Sequence, residues 1–234
     1  MIRQKIEKQT GIIVLDRPEK RNALSREVIG SLIEAVKDFN ADGRVKCIVL
    51  KTEGPVFCAG ADLKELGSRE EKGINLYADV VTSILMSEKP VIARVQGPAV
   101  GGGVGLVAAC HLAAGSHAAT FITPELKSGL FPLMVFSLIY ERAGSKLAFE
   151  LALCSKTLTA PEAAAAGLLN TVVEPEKLDS VIDAWTTEIG KWDANPVALG
   201  LGTLMDIRSQ RILRDVRICQ QTIDAIVTKR GGNK

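Results

Sequence analysis

The residues best placed to do chemistry form the run Gly101-Gly102-Gly103-Val104-Gly105-Leu106-Val107-Ala108, which follows a strand-like pattern and opens an apolar helix. Two readings of it compete. Gly103-x-Gly105-x-x-Ala108 satisfies the dinucleotide-binding fingerprint, and Glu125 stands twenty residues past Gly105, where a ribose-binding acid is wanted. Against this, Gly97-Pro98-Ala99-Val100 separates the strand from the glycines, and Pro124 precedes the acid. The other reading treats the glycines as a helix N-terminus whose amides face an anion or a developing oxyanion at close backbone approach. One amide is rarely enough. Phe57-Cys58-Ala59-Gly60-Ala61-Asp62-Leu63-Lys64 offers a second turn of small residues ahead of a helix, with Asp62 as its expected cap.

Other reactive residue types carry less. His111 and His117 lie six apart with no carboxylate in register, which predicts core or loop histidines and no metal site. The five cysteines (Cys47, Cys58, Cys110, Cys154, Cys219) are scattered and never form C-x-x-C, so reduced thiols in a cytoplasmic protein are expected. Cys58, beside the second turn, reads as a packing residue because nothing pairs it with a base.

The elements that position these residues follow from periodicity. Ile12 to Leu15 is a strand; Arg17-Pro18-Glu19-Lys20 turns; a helix runs from about residue 26 to 40 with Ser25 as N-cap and Leu24 and Ile29 as its hydrophobic staple. Val45 to Leu50 is a strand, Val80, Val81, Ile84 and Leu85 mark a helix ending before Pro90, and Val91 to Val95 is the next strand. The alternation continues through a strand at Ala118 to Ile122, a helix from Leu133 to Glu141, a capping box at Thr159-Ala160-Pro161-Glu162 and a strand at Thr171 to Val173. Beyond Pro175 the pattern is helical, with Trp185 and Trp192 as one packing stripe and Ile212, Val216, Ile223 and Ile226 as another. Between Arg94 and Glu125 no Asp, Glu, Lys or Arg occurs; the glycines, Pro98 and the polar Gln96 break that stretch, so it reads as deep core and not as a membrane span.

The chain has 234 residues, 47% of them apolar, and a net charge of +2, which suits one large α/β domain with a helical appendage. Only six Phe, two Trp and two Tyr are present, so neither the basic surplus nor the stacking platforms of a nucleic-acid binder exist. The charged start, Met1-Ile-Arg-Gln-Lys, lacks the apolar region of an export signal.

Taken in order, Leu15-Asp16-Arg17-Pro18-Glu19-Lys20-Arg21-Asn22-Ala23-Leu24, FCAGADLKEL, KPVIARVQGPAVGGGVGL and Thr123-Pro124-Glu125 resemble the crotonase (enoyl-CoA hydratase/isomerase) family over roughly residues 10 to 175. The resemblance implies a crotonase-like superhelix of repeated ββα turns (residues 1–175), a helical trimerisation or lid region (176–234), homotrimers or paired trimers, and an acyl-CoA substrate with no further cofactor. It places the oxyanion-binding amides at Ala61 and Gly102 and an acid/base carboxylate at Glu125. Substrate contacts fall at Ala23, Ala59, Asp62, Leu63, Lys64, Gly105, Pro124 and Leu130; Lys64 reads either as a contact to a CoA phosphate or as a solvated lysine.

The family's hydratases carry a second glutamate two residues beyond the glycine triplet, where this chain has Gly105. One carboxylate can still take a proton from one carbon and return it to another, so double-bond isomerisation is favoured over hydration. Gly105→Glu is expected to restore the missing acid. Leu126, Leu130, Phe131 and Pro132 are expected to desolvate Glu125, and Leu133-Met134-Val135-Phe136 stands where the family has a glycine-rich run, predicting an apolar acyl pocket. The alternative is a non-catalytic acyl-CoA-binding or assembly subunit. A serine peptidase of the Clp type, whose fold looks similar, would need a serine after the triplet, and Ser116 has no nucleophile setting.

Overall fold

Near-continuous apolar strands require cover on both faces, and parallel pairing supplies it. In the computed structural model, which describes residues 2–62 and 72–231, β2 (Thr10–Leu15), β3 (Cys47–Thr52), β4 (Val91–Val95), β6 (Leu112–Ser116) and β9 (Thr171–Val173) pair in parallel in that order. β1 (Ile2–Glu7) adds an antiparallel edge beside β2. Alternate residues serve two cores. Ile48, Leu50, Val91, Ala93 and Val95 face the main core, whereas Val49, Ile92 and Ala114 pack with Leu178 and Ile182 of a C-terminal helix.

Four strands of this sheet, β2, β3, β4 and β6, lead into a second layer before a helix. After β2, Leu24 bridges Ala61; after β3, Cys58 bridges Ala99; β4 continues into β5 (Ala99–Val100) and β6 into β7 (Thr120–Ile122). β5, β7 and β8 (Leu158–Thr159) form the small second sheet. The helices that follow are α1 (Arg26–Ala41), α2 (Lys72–Leu85), α3 (Gly102–Ala109) and α4 (Leu133–Ala143). The expected superhelix of ββα turns is therefore present. Beyond it run α5 (Ser145–Cys154), α6 (Ala160–Ala165), α7 (Leu178–Gly190) and α8 (Ala194–Gly231). Among the described residues no helix is long and apolar enough to cross a membrane.

Local signals act as expected at several points. The Ser25 side chain accepts from the Val28 amide at 3.2 Å, and both halves of the Thr159/Glu162 capping box are formed. Two expectations fail. α7 stops at Gly190, so Trp192 sits 55% exposed in the turn beyond it and shares no stripe with Trp185, which packs against the sheet. The strand at Ala118 begins only at Thr120, and the strand before it, Leu112-Ala-Ala-Gly-Ser116, carries little β propensity to announce itself. The side chains of Ile212, Val216, Ile223 and Ile226 lie outside the described residues.

Candidate active site

A buried polar pin sets the first wall of the site. Arg21 and Asn22 both take left-handed backbone angles, and the Asn22 side chain is 1% exposed. Its Nδ2 donates to the carbonyls of Glu53 and Val56, each at 2.8 Å, and its Oδ1 accepts from the Arg17 amide at 2.9 Å. That clamps the loop after β2 to the loop after β3. The Ala59 amide then donates to the Arg21 carbonyl at 2.9 Å, which brings Ala23 and Ala59 to the same wall.

The 58–62 segment runs between Leu24 and β5. On one side the Gly60 carbonyl accepts from the Leu24 amide (2.8 Å) and the Asp62 amide donates to the Leu24 carbonyl (3.1 Å). On the other the Cys58 carbonyl accepts from Val100 at 2.9 Å. Strand alternation turns the intervening Ala61 N–H away from Leu24, and no described residue accepts from it. Gly60 is at φ +82°, and a Cβ there would stand 2.7 Å from the Val100 carbonyl oxygen and 3.2 Å from the Gly102 nitrogen. The two small-residue turns are thus in van der Waals contact. Gly102 is the first residue of α3, so its N–H has no intrahelical acceptor, and none among the described residues takes its place. Ala61 is exposed and Gly102 half-buried.

Sheet register delivers the carboxylate. Val100 pairs with Ile122, and the Gly101 amide donates to the Ile122 carbonyl at 2.8 Å. Two residues on, Pro124 leads into a single 3-10 turn over Glu125–Ser128. Glu125 folds back so that Oε1 lies 2.7 Å from where a Gly101 Cβ would be. Oε2 is buried and has no partner among the described residues. Burial pushes the carboxyl from its ordinary 4.5 up to about 7, against a smaller lowering by its own backbone amide.

Of the expected desolvating neighbours, Leu126 does not behave as a buried cover. Leu126 is 39% exposed, and what lies against the carboxylate is the Gly101 turn. Pro132 is buried and Leu130 and Phe131 are half-buried nearby in sequence. Phe131, Phe136 and Phe149 form an aromatic cluster, with centroids 5.6 Å apart for the first pair and 4.9 Å for Phe136 and Phe149.

Gly105 is not an empty slot. A Cβ there would stand 2.1 Å from the Tyr77 hydroxyl and 3.3 Å from Val135 Cγ2, so Gly105→Glu requires the Tyr77 side chain to move before a second acid can be accommodated. Sequence reasoning passed over Tyr77, although it extends the spacing of Val80, Val81 and Ile84 backwards by one turn and is one of only two tyrosines. Leu63 and Lys64 lie outside the described residues, so the lysine's reach is not placed. Asp62 is half-buried.

The remaining candidates behave as packing groups. The buried Cys58 thiol accepts from the Gly60 amide at 3.4 Å, and burial pushes it up to about 12, out of reach of thiolate chemistry. His111 Nδ1 accepts from the Val91 amide at 3.0 Å, and burial, with Arg142 adding, lowers the imidazole to about 4. No group of three or more metal-ligating side chains occurs among the described residues, and all five cysteines are free.

Comparison with known proteins places this geometry. The human mitochondrial enoyl-CoA hydratase domain-containing protein 3 is 33% identical over 238 residues, covering 93% of this chain and 78% of that protein. The crystal structure of an enoyl-CoA hydratase from Mycobacterium smegmatis superposes with a TM-score of 0.85 at 32% identity, over 94% of this chain and 90% of that one. An enoyl-CoA hydratase/isomerase from Xanthobacter autotrophicus Py2 gives 0.84 at 28%, over 97% and 86%. The sequence profile for enoyl-CoA hydratase/isomerase matches residues 5–224, and with it the resemblance carried by the two glycine turns and the acid becomes membership: the chain belongs to the enoyl-CoA hydratase/isomerase, or crotonase, family.

Proposed function

We propose that this protein forms an enolate from an acyl-CoA thioester and uses Glu125 as its sole acid/base carboxylate, with double-bond isomerisation favoured over hydration. The thioester oxygen accepts from the Ala61 and Gly102 amides, each worth about 2.7–4 kcal/mol where negative charge develops, and the α3 dipole adds in the same direction. Glu125 takes the proton from the carbon next to the thioester; the electrons move onto that oxygen, and the same carboxyl returns a proton to the far end of the shifted double bond. In this reading the acyl-CoA path runs past Ala23, Ala59, Asp62, Pro124 and Leu130.

The observation that carries this reading is the buried Glu125 carboxylate with one unpartnered oxygen, lying against the turn that presents the Gly102 amide. A carboxyl titrating near 7 is matched to reversible proton transfer at neutral pH. The test is Glu125→Gln assayed on 2-enoyl- and 3-enoyl-CoA with products weighed by mass spectrometry. Rate should fall by at least about 10²-fold while acyl-CoA affinity, measured by calorimetry, stays near wild type. A wild type that binds acyl-CoA and converts none of it would instead be a binding subunit.

Residues 1–175 form the catalytic core in this proposal, and 176–234 the trimerisation and lid region. Tyr140, Phe149 and Leu153 on α4 and α5 are exposed, as are Leu199, Leu204, Ile207 and Ile218 on α8, an apolar excess that suits self-association into trimers or paired trimers. Light scattering at micromolar concentration decides it: a stable monomer would refute the assembly. The free thiols fit a reducing compartment such as the cytoplasm.

A further inference from the structure

The helix that opens at Gly102 has a trough along one side. Gly102 and Gly105 are one turn apart on α3 and share a face, so neither offers a side chain there. The Tyr77 ring lies in that trough. Its Cε2 is 3.0 Å from where a Gly102 Cβ would be, its hydroxyl 2.1 Å from the corresponding point at Gly105, and the hydroxyl donates to the Gly102 carbonyl at 2.7 Å. Tyr77 is 8% exposed on α2, and Val135 of α4 closes the far side of the slot, 3.3 Å from the Gly105 Cβ position. The Glu125 carboxylate flanks the same helix start at Gly101. Burial above all, with Cys58 and the nearby Glu125 adding, lifts the phenol well above its usual range, so it stays a neutral donor.

We infer that Tyr77 determines which reaction the site performs: its phenol occupies the space a second acid at position 105 would need and keeps a nucleophilic water from being held there. This inference rests on the enolate reading above. Adding water to a 2-enoyl thioester makes a bond from the water oxygen to the carbon two removed from the carbonyl, passes one water proton to a base and delivers a proton to the carbon next to the carbonyl. Hydration therefore asks the site to hold and orient a water as well as to take a proton and give one back, whereas migration of the double bond leaves the formula unchanged and needs only the proton transfers. A pinned, neutral phenol with its proton committed to the Gly102 carbonyl offers no base for water. The glycine and the tyrosine therefore form a matched pair, with the small residue at 105 required by the large one at 77.

The pair is tested by exchanging it in the full-length protein. Wild type, Gly105→Glu, Tyr77→Ala with Gly105→Glu, and Tyr77→Phe are compared for the ratio of hydrated to isomerised product from 2-enoyl- and 3-enoyl-CoA, with melting temperature and acyl-CoA affinity followed alongside. Gly105→Glu alone should lower the melting temperature and gain no hydration. The double variant should fold and raise the hydration-to-isomerisation ratio by at least about 10²-fold, the low end of what a positioned acid/base group contributes. Tyr77→Phe keeps the ring, so it should fold in any case and raise the ratio severalfold, because the Gly102 carbonyl is then free to hold water. A ratio unchanged in Tyr77→Phe, or in a folded double variant, while wild type still isomerises in a Glu125-dependent way, overturns the role of Tyr77 and leaves the enolate reading standing. A wild type that binds acyl-CoA but turns over neither enoyl-CoA overturns both.

Discussion

The pH dependence of the rate follows from where Glu125 is buried. A base must be ionised to accept the proton, and this carboxyl titrates at about 7 because its surroundings withhold water from the charged form. At pH 6 it is about one-tenth ionised and at pH 8 about nine-tenths, so the rate should rise about tenfold across that interval. An ordinary glutamate near 4.5 would already be almost fully ionised at pH 6 and would give a flat profile. Stability moves the opposite way. The folded state holds this proton more tightly than the unfolded chain, so the contribution is complete below about 4.5 and is lost as pH rises through about 7. At most about 3 kcal/mol is lost in this way. Glu125→Gln removes that slope. The assays are kcat/KM against pH on a 3-enoyl-CoA and urea unfolding of both proteins between pH 5 and 8. A rate independent of pH between 6 and 8, or identical stability slopes in the two proteins, would refute the assignment of a buried, proton-holding base.

Three further outcomes follow from the site's supports. Asn22→Ala leaves the Glu53 and Val56 carbonyls without their buried donor and should cost about 3 kcal/mol in chemical denaturation; a cost within experimental error would mean the two loops are held otherwise. Gly60→Ala forces a side chain into left-handed backbone against the Val100 carbonyl and the Gly102 nitrogen, so acyl-CoA turnover should fall more than tenfold, and full activity would show that the Gly102 amide is not an oxyanion donor. His111 is held neutral with Nδ1 as acceptor, its folded value depressed from 6.5 to about 4. Its contribution is therefore present above about 6.5 and lost as pH falls towards 4, and His111→Gln should flatten acid unfolding over that window.

The turns of the candidate site were legible in the sequence where small residues build the backbone. Gly60-Ala61 and Gly101-Gly102 are visible as small-residue turns before helices, and the structure brings them into contact through the Cys58 to Val100 hydrogen bond. Strands with apolar runs, such as Ile12 to Leu15 and Val91 to Val95, announced themselves, whereas β6, built from Ala, Gly and Ser, depends on its neighbours Ile92 and Ala93 for its register. What periodicity could not convey was distance between elements. Gly105 read as an absent acid, and only the packing of α2 on α3 reveals that a tyrosine from another helix fills the space. For the same reason the contact of the Glu125 carboxylate with the Gly101 turn could not be read from its chain neighbours.

The central claim, that Glu125 makes a thioester enolate beside the Ala61 and Gly102 amides, is tested most directly by loss of a hydrogen label from the carbon next to the thioester. Wild type given a 3-enoyl-CoA deuterated at that carbon should strip a deuterium from it, delivering it to the far end of the shifted double bond or losing it to solvent, and Glu125→Gln, binding the same ligand with similar affinity, should do so at least about 10²-fold more slowly. Equal loss of label in the two proteins would contradict it.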